Sequence, residues 1–213
     1  MSKVSCIVLA AGAGRRMGHD ENKIFIKLGQ KSIIQWTLSH INQVKAVSEV
    51  ILVVADGEAS YMEQHIASLG LSKSIKIVIG GKERQDSVYA GLQAVADDID
   101  IVLVHDGARP LAKPELFERV IEGAETHGAV TIGVPSTDTI KRVDIDGQVL
   151  ETLNRNELMN IQTPQGFQKD IFKEAQETAK RDAYLGTDDV SLVEYIGKDV
   201  YILDGDYENI KVT

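Results

Sequence analysis

The stretch Val4-Ser5-Cys6-Ile7-Val8-Leu9-Ala10-Ala11-Gly12-Ala13-Gly14-Arg15-Arg16-Met17-Gly18, followed by Lys23, decides how the chain reads. Val4 to Leu9 is short and apolar with β-branched residues, the pattern of a strand buried on both faces of a parallel sheet. Past Leu9 the side chains shrink to alanine and glycine. Such a backbone approaches a ligand closely and turns successive N–H groups toward an anion. Arg15, Arg16 and Lys23 then supply the positive charge that phosphates require. The expectation is a strand end, a small-residue loop around phosphates, and Arg16 and Lys23 reaching over them. Neither common phosphate loop fits: no Gly-Lys-Ser/Thr closes the stretch, and Met17 stands where a dinucleotide fingerprint has its third glycine. Gly18 to Asn22 reads as loop, where that fingerprint would open a helix. A flexible turn with solvated charges is the alternative, and the pattern of the rest of the chain weighs against it.

That pattern is an alternation of short apolar strands with helical stretches. Val50–Val54, Ile75–Ile79, Ile101–Val104 and Ala129–Val134 read as strands. Between them, Ile33–Ile41, Ser60–Leu69 (Ser60 capping, with Glu63 three residues on), a segment ending at Ala96 and Lys113–His127 read as helices. The fold class this predicts is α/β: a Rossmann-like, doubly wound, mostly parallel sheet covered on both faces. Ligands of such sheets bind beyond the carboxyl ends of the strands. The loops after the strands therefore carry the candidate site. Gly80-Gly81-Lys82-Glu83-Arg84-Gln85-Asp86-Ser87 admits two readings, a ligand loop offering N–H groups and hydroxyls, or an ordinary strand-to-helix turn capped by Asp86 or Ser87. Asp106, at the end of the fourth strand in His105-Asp106-Gly107-Ala108-Arg109-Pro110, is placed to hold Mg²⁺ through one carboxylate while phosphates supply further ligands. His105 and Arg109 read as structural.

The chain has 213 residues, enough for one domain with a substantial core. Its net charge of −9 argues against general nucleic-acid binding. The basic residues cluster in loops, which suits a small phosphorylated ligand in a locally positive pocket. Cys6 is the single cysteine, so no disulfide framework or cysteine metal site is expected. No apolar run has membrane-spanning length and no signal-peptide pattern opens the chain, so a cytoplasmic protein without membrane contact is expected.

The alternation breaks after residue 136. Two extended segments, 138–143 and 148–153, flank Asp144-Ile145-Asp146-Gly147, and Asp146-Gly147 is a hairpin-turn signal. A β-arm over about residues 137–156 is expected, inserted in the one domain spanning 1–213. A lone hairpin is marginal and must pack on something, for which a second subunit is the natural candidate. Gln162–Phe167 returns the chain to the sheet, Lys169–Arg181 is helical, Gly186-Thr187-Asp188-Asp189 leads into another helix, Val200–Leu203 is a strand, and Asn209–Thr213 is extended.

Read in order, these blocks resemble the 2-C-methyl-D-erythritol 4-phosphate cytidylyltransferases of non-mevalonate isoprenoid synthesis. The blocks are Ala10–Gly18 with Lys23, Gly80–Val88, His105–Pro110, Asp138–Arg142, Gln162–Gln165, Gly186–Asp189 and Asn209–Thr213. The resemblance implies a cytidylyltransferase taking CTP and a sugar-alcohol phosphate to a CDP-linked product and pyrophosphate, with Mg²⁺. It implies Arg16, Lys23 and Lys211 as catalytic residues, with Ala10, Ala11, Gly12, Ala13, Gly14, Gly81, Ser87, Asp106 and Gly107 around the nucleotide. It implies Thr139, Arg155, Thr163 and Lys211 around the acceptor phosphate, with Thr139 and Arg155 reaching a partner's site in a homodimer. Two departures stand out: Lys82 replaces a usual acidic residue, and family members usually continue past residue 213 into a C-terminal helix, so a truncated or unusually short member is expected. Related enzymes acting on ribitol 5-phosphate usually show Ala-Gly-Gly and Pro-Lys-Gln-Phe, where this chain has Ala10-Ala11-Gly12 and Asn22-Lys23-Ile24-Phe25. A nucleotide-binding module without turnover is a third reading, against which the joint presence of Arg16, Lys23, Asp106 and Lys211 argues.

Overall fold

The computed structural model describes residues 2–12 and 22–213. Its strands are β1 (Val4–Leu9), β2 (Lys27–Leu28), β3 (Lys31–Ser32), β4 (Val47–Val54), β5 (Ser74–Ile79), β6 (Ile101–Asp106), β7 (Ala129–Pro135), β8 (Lys141–Val143), β9 (Val149–Thr152), β10 (Met159–Gln168) and β11 (Tyr201–Asp204). Its helices are α1 (Ile33–Ile41), α2 (Ala59–Ile66), α3 (Arg84–Gln93), α4 (Pro114–His127), α5 (Lys169–Arg181) and α6 (Asp189–Tyr195). Seven strands form one sheet in the order β11-β7-β10-β6-β1-β4-β5. All neighbours are parallel except β10, which runs antiparallel to both β6 and β7. The sheet is thus mostly parallel, as expected.

Alternation along β1 shows why both faces must be covered. Cys6 and Val8 point into a core shared with α1, α2 and α4, while Ile7 points into a second core shared with α3, α5 and α6. All three side chains are fully buried. On α3, Gly91 lets the helix settle onto β1, since a Cβ there would lie 2.7 Å from Ile7 Cγ2. Among the described residues no helix is long and apolar enough to cross a membrane.

Several boundaries differ from the sequence-based expectation. Ser60 does not cap α2; it lies exposed inside a helix that starts at Ala59, because the turn at Asp56-Gly57, with Gly57 at φ +82°, directs the chain into the helix earlier. The last part of that segment, Ala67–Leu69, is a 3-10 turn. Neither Asp86 nor Ser87 is the N-cap of α3: Glu83 is, in a reciprocal pair with Asp86. The same helix stops at Gln93 rather than Ala96, whose N–H is taken by the Glu49 carboxylate. Gln162–Phe167 belongs to a ten-residue central strand, with a register shift around Pro164. The hairpin exists, as a two-stranded sheet apart from the main one. Its turn is longer than a two-residue Asp-Gly turn: the Asp144 carboxylate accepts from the N–H groups of Asp146 and Gln148, and Gly147 sits at φ +85°.

Candidate active site

β1 pairs with β4 on one side and β6 on the other, so the chain reverses direction of winding at β1. Open α/β sheets bind ligands at that switch point. A cavity of about 910 Å³ lies there, lined by Ala10, Ala11 and Gly12 after β1, Lys23, Gly80–Arg84, Ser87, Asp106 and Lys211. Lys23, Lys82, Arg84 and Lys211 face Asp56, Glu83 and Asp106 in its wall.

The walls are pinned by backbone. Ala10 N–H donates to Val53 O at 2.7 Å, and Gly80 N–H to Val54 O at 2.8 Å, so both loops leave the sheet in fixed directions. Gly81 N–H then donates to Ser87 Oγ, whose hydroxyl donates to Glu83 O. Lys23 opens a 3-10 turn over Lys23–Phe25, and its neighbour Asn22 holds that turn in place. Asn22 Nδ2 donates to Ala10 O at 2.8 Å and to Glu58, while its Oδ1 accepts from Ile24 N–H.

Asp106 is the electrostatic centre. It is 7% exposed, with Lys211 Nζ at 2.9 Å and Arg109 Nε at 3.5 Å from Oδ2, and Arg84 Nε at 3.9 Å from Oδ1. Burial alone would raise its carboxyl; Lys211, Arg84 and Arg109 outweigh that and hold it below the usual carboxylate range. Lys211 is delivered by a terminal strap. Arg109 Nη1 donates to Asn209 O, buried Asn209 donates to Thr163 O, and Val212 N–H donates to Ala108 O. Among the described residues there is no group of three or more His, Cys, Asp or Glu able to hold an ion unaided. Asp106 Oδ1, whose nearest cation among the described residues is Arg84 Nε at 3.9 Å, nevertheless fits Mg²⁺, which takes one or two protein carboxylates and completes its shell with phosphate oxygens and water.

The family described as IspD, 2-C-methyl-D-erythritol 4-phosphate cytidylyltransferase, matches residues 4–213. The chain belongs to this family. A relative from Pelotomaculum thermopropionicum bearing that name is 45% identical over 214 residues, covering 100% of this chain and 90% of the relative. One from Alkaliphilus metalliredigens is 46% identical over 213 residues, covering 100% and 88%. The crystal structure of 4-diphosphocytidyl-2C-methyl-D-erythritol synthase from Anaerococcus prevotii superposes with a TM-score of 0.89 at 32% identity, over 99% of this chain and 92% of that one. The corresponding cytidylyltransferase from Thermus thermophilus gives 0.80 at 29% identity, over 99% and 93%.

Set against the residues that the family resemblance names, the structure brings Ala10, Ala11, Gly12, Lys23, Gly81, Ser87, Asp106 and Lys211 to one cavity. Ala13, Gly14 and Arg16 lie outside the described residues. Ser87 reaches the cavity with its hydroxyl already engaged in the turn. Gly107 does not line it: its N–H donates to Leu9 O and its carbonyl accepts from Thr37, both within the fold. Thr163 is also buried; its Oγ1 accepts from Asp106 N–H and contacts His105 Nδ1. Thr139 and Arg155 are exposed on the arm and its base, away from this cavity. Arg84 and Asp189 went unnoticed in the sequence reading, though both stand in blocks it quoted. Their signal is contact across the chain: Arg84 Nη2 lies 2.6 Å from Asp189 Oδ2.

Proposed function

We propose that this protein transfers CMP from CTP to 2-C-methyl-D-erythritol 4-phosphate, giving 4-diphosphocytidyl-2-C-methyl-D-erythritol and pyrophosphate. The observation that carries this is the meeting of Lys23, Asp106 and Lys211 in one cavity at the switch point, in a chain matched to the family over residues 4–213.

The chemistry needs no protein nucleophile. An acceptor phosphate oxygen, already anionic near neutral pH, attacks the α-phosphorus of CTP in line; the bond to the β-phosphate bridging oxygen breaks and pyrophosphate leaves with that electron pair. Positioning and charge stabilisation are what the protein contributes. Lys23 neutralises charge on the phosphates, and Lys211 meets the acceptor phosphate beside Asp106. Arg16 shares the first role by family resemblance. Asp106 would hold Mg²⁺, which would supply charge neutralisation for the triphosphate. Small residues at Ala10–Gly12 and Gly81 let backbone approach the nucleoside. Thr139 and Arg155, exposed on the arm, complete the acceptor site of a second subunit, which makes the working form a homodimer.

Pyrophosphate release from CTP with Mg²⁺, measured across a panel of sugar-alcohol phosphates, tests the reading. Turnover is expected with 2-C-methyl-D-erythritol 4-phosphate. Preference for ribitol 5-phosphate would move the chain to the pentitol enzymes, and CTP binding without turnover would make it a nucleotide-binding module. Asp106→Asn should raise the Mg²⁺ concentration for half-maximal rate, because a neutral ligand replaces an anionic one.

A further inference from the structure

Arg84 lines the cavity and its partner Asp189 stands behind it, outside the lining; neither has a part in the reaction as derived above. Asp189 is 1% exposed. It does not cap α6, a task Asp188 performs through Ser191 N–H. A buried carboxylate contributes little to stability unless a partner offsets its lost hydration. Its partner is Arg84, and among the described residues Arg84 is the one cation around Asp106 that is shared with a second carboxylate. The guanidinium donates to Asp189 at 2.6 Å yet stops 3.9 Å from Asp106 Oδ1. Charge-assisted pairs of arginine and carboxylate close to about 2.7–2.9 Å when nothing opposes them.

Neighbouring contacts show what opposes closure here. Gln85 Nε2 donates to Tyr184 O, and Gly186 N–H donates to Gln85 Oε1, stitching the loop before α6 to the start of α3. That stitching sets Asp189 under Arg84. On the far side of Asp106, Lys211 and Arg109 already occupy Oδ2. Were Arg84 to close on Oδ1, both oxygens of the cavity's central carboxylate would be taken by cations.

We propose that Asp189 is a positioning residue, which holds the Arg84 guanidinium off Asp106 and so keeps Oδ1 open toward a divalent cation bound with the nucleotide. This rests on the cavity being the CTP site. Asp189 acts through Arg84 and touches no substrate. Neutralising it releases the guanidinium onto Asp106, and neutralising Arg84 as well removes the competitor.

The test is binding of Mn²⁺ in the presence of CTP, read from the electron paramagnetic resonance signal of free Mn²⁺, on the full chain, with melting curves alongside. Asp189→Asn should bind Mn²⁺–CTP about tenfold more weakly than wild type. Adding Arg84→Gln, which leaves a neutral hydrogen-bonded pair, should bring affinity back to within about threefold. A simple strut between α3 and α6 would not be rescued by removing its second half. Unchanged affinity in folded Asp189→Asn, or a double variant no better than the single, overturns the proposal. If Asp189→Asn does not fold, the double variant decides: affinity within threefold of wild type supports the holding role and a tenfold loss overturns it. Wild type that binds no Mn²⁺–CTP overturns the nucleotide reading, and this inference with it, whereas loss confined to variants bears on the holding role alone.

Discussion

His105 ends up one residue from Asp106 and wholly buried, its ring edge-on to Phe117. Thr163 Oγ1 accepts from Asp106 N–H and shares a hydrogen bond of 3.0 Å with His105 Nδ1. Burial pulls this imidazole down to about 3; the pull of Asp106 in the other direction does not offset it. An unfolded histidine takes its proton near 6.5, so between about 6.5 and 3 the unfolded state binds more protons. Stability therefore falls on acidification through that window, by up to about 1.4 kcal/mol per pH unit. Asp106, with its lowered carboxyl, adds a further loss once pH drops below the ordinary carboxylate range. His105→Gln, keeping polarity without a titrating group, should show a flatter dependence of unfolding free energy on pH between 6.5 and 4; an identical dependence would mean that other groups set the acid limit. Lys23 carries a separate expectation. Lys23→Ala should lower turnover at least about a hundredfold, the scale of losing one charge-stabilising donor. Activity within a few-fold of wild type would remove Lys23 from the mechanism.

At the scale of elements, the turn from β5 into α3 is the most constrained piece of the site. A Cβ on Gly81 would lie 2.3 Å from Asp86 Cβ, with the Asp86 backbone close behind, so no side-chain rotation relieves it. Gly81→Ala should force the turn away from the helix start and raise the KM for CTP about tenfold, by analogy with misplacement of other positioning elements. Steady-state kinetics with CTP varied will show it, and an unchanged KM would place the nucleotide elsewhere. The same turn illustrates what could be read from sequence. Its glycines and the following helix were legible because strand, small residues and helix periodicity are local properties. Which residue caps α3 was not, since Glu83, Asp86 and Ser87 are all chemically able and the choice depends on where β5 releases the chain. Ser60 failed as a cap for a similar reason, a positive-φ turn at Gly57 upstream.

For the molecule as a whole, the arm is the feature that one subunit does not explain. Val143, Val149 and Leu150 are all more than half exposed, and Ile145 is fully so. Two short strands with that much uncovered apolar surface are marginal alone. Arg155, at the arm's base, donates from Nη1 to the carbonyl of Thr137, its one side-chain hydrogen bond among the described residues. If the arm completes a partner's acceptor site, mixing inactive Arg155→Ala with inactive Lys23→Ala protein should restore activity. Each mixed dimer would hold one site with both residues intact, so up to about a quarter of wild-type activity returns when half the dimers are mixed. No recovery after verified subunit exchange would place both residues in one subunit's site.

The sequence by itself determined the alternating architecture, the loops that carry the site and the family, because hydrophobic period, small-residue loops and ordered motif blocks are written within short windows of chain. It could not determine that β10 inserts antiparallel between β6 and β7, for its apolar residues bear no mark of their neighbours. Nor could it show that Asp189 meets Arg84 across 105 residues, or that Arg109 clamps Asn209 across 100. Those pairings decide which charges around Asp106 are spent inside the fold and which face the cavity. Only the tertiary structure sets them, because the low-dielectric interior makes a buried charge depend on the one partner that packing brings within reach.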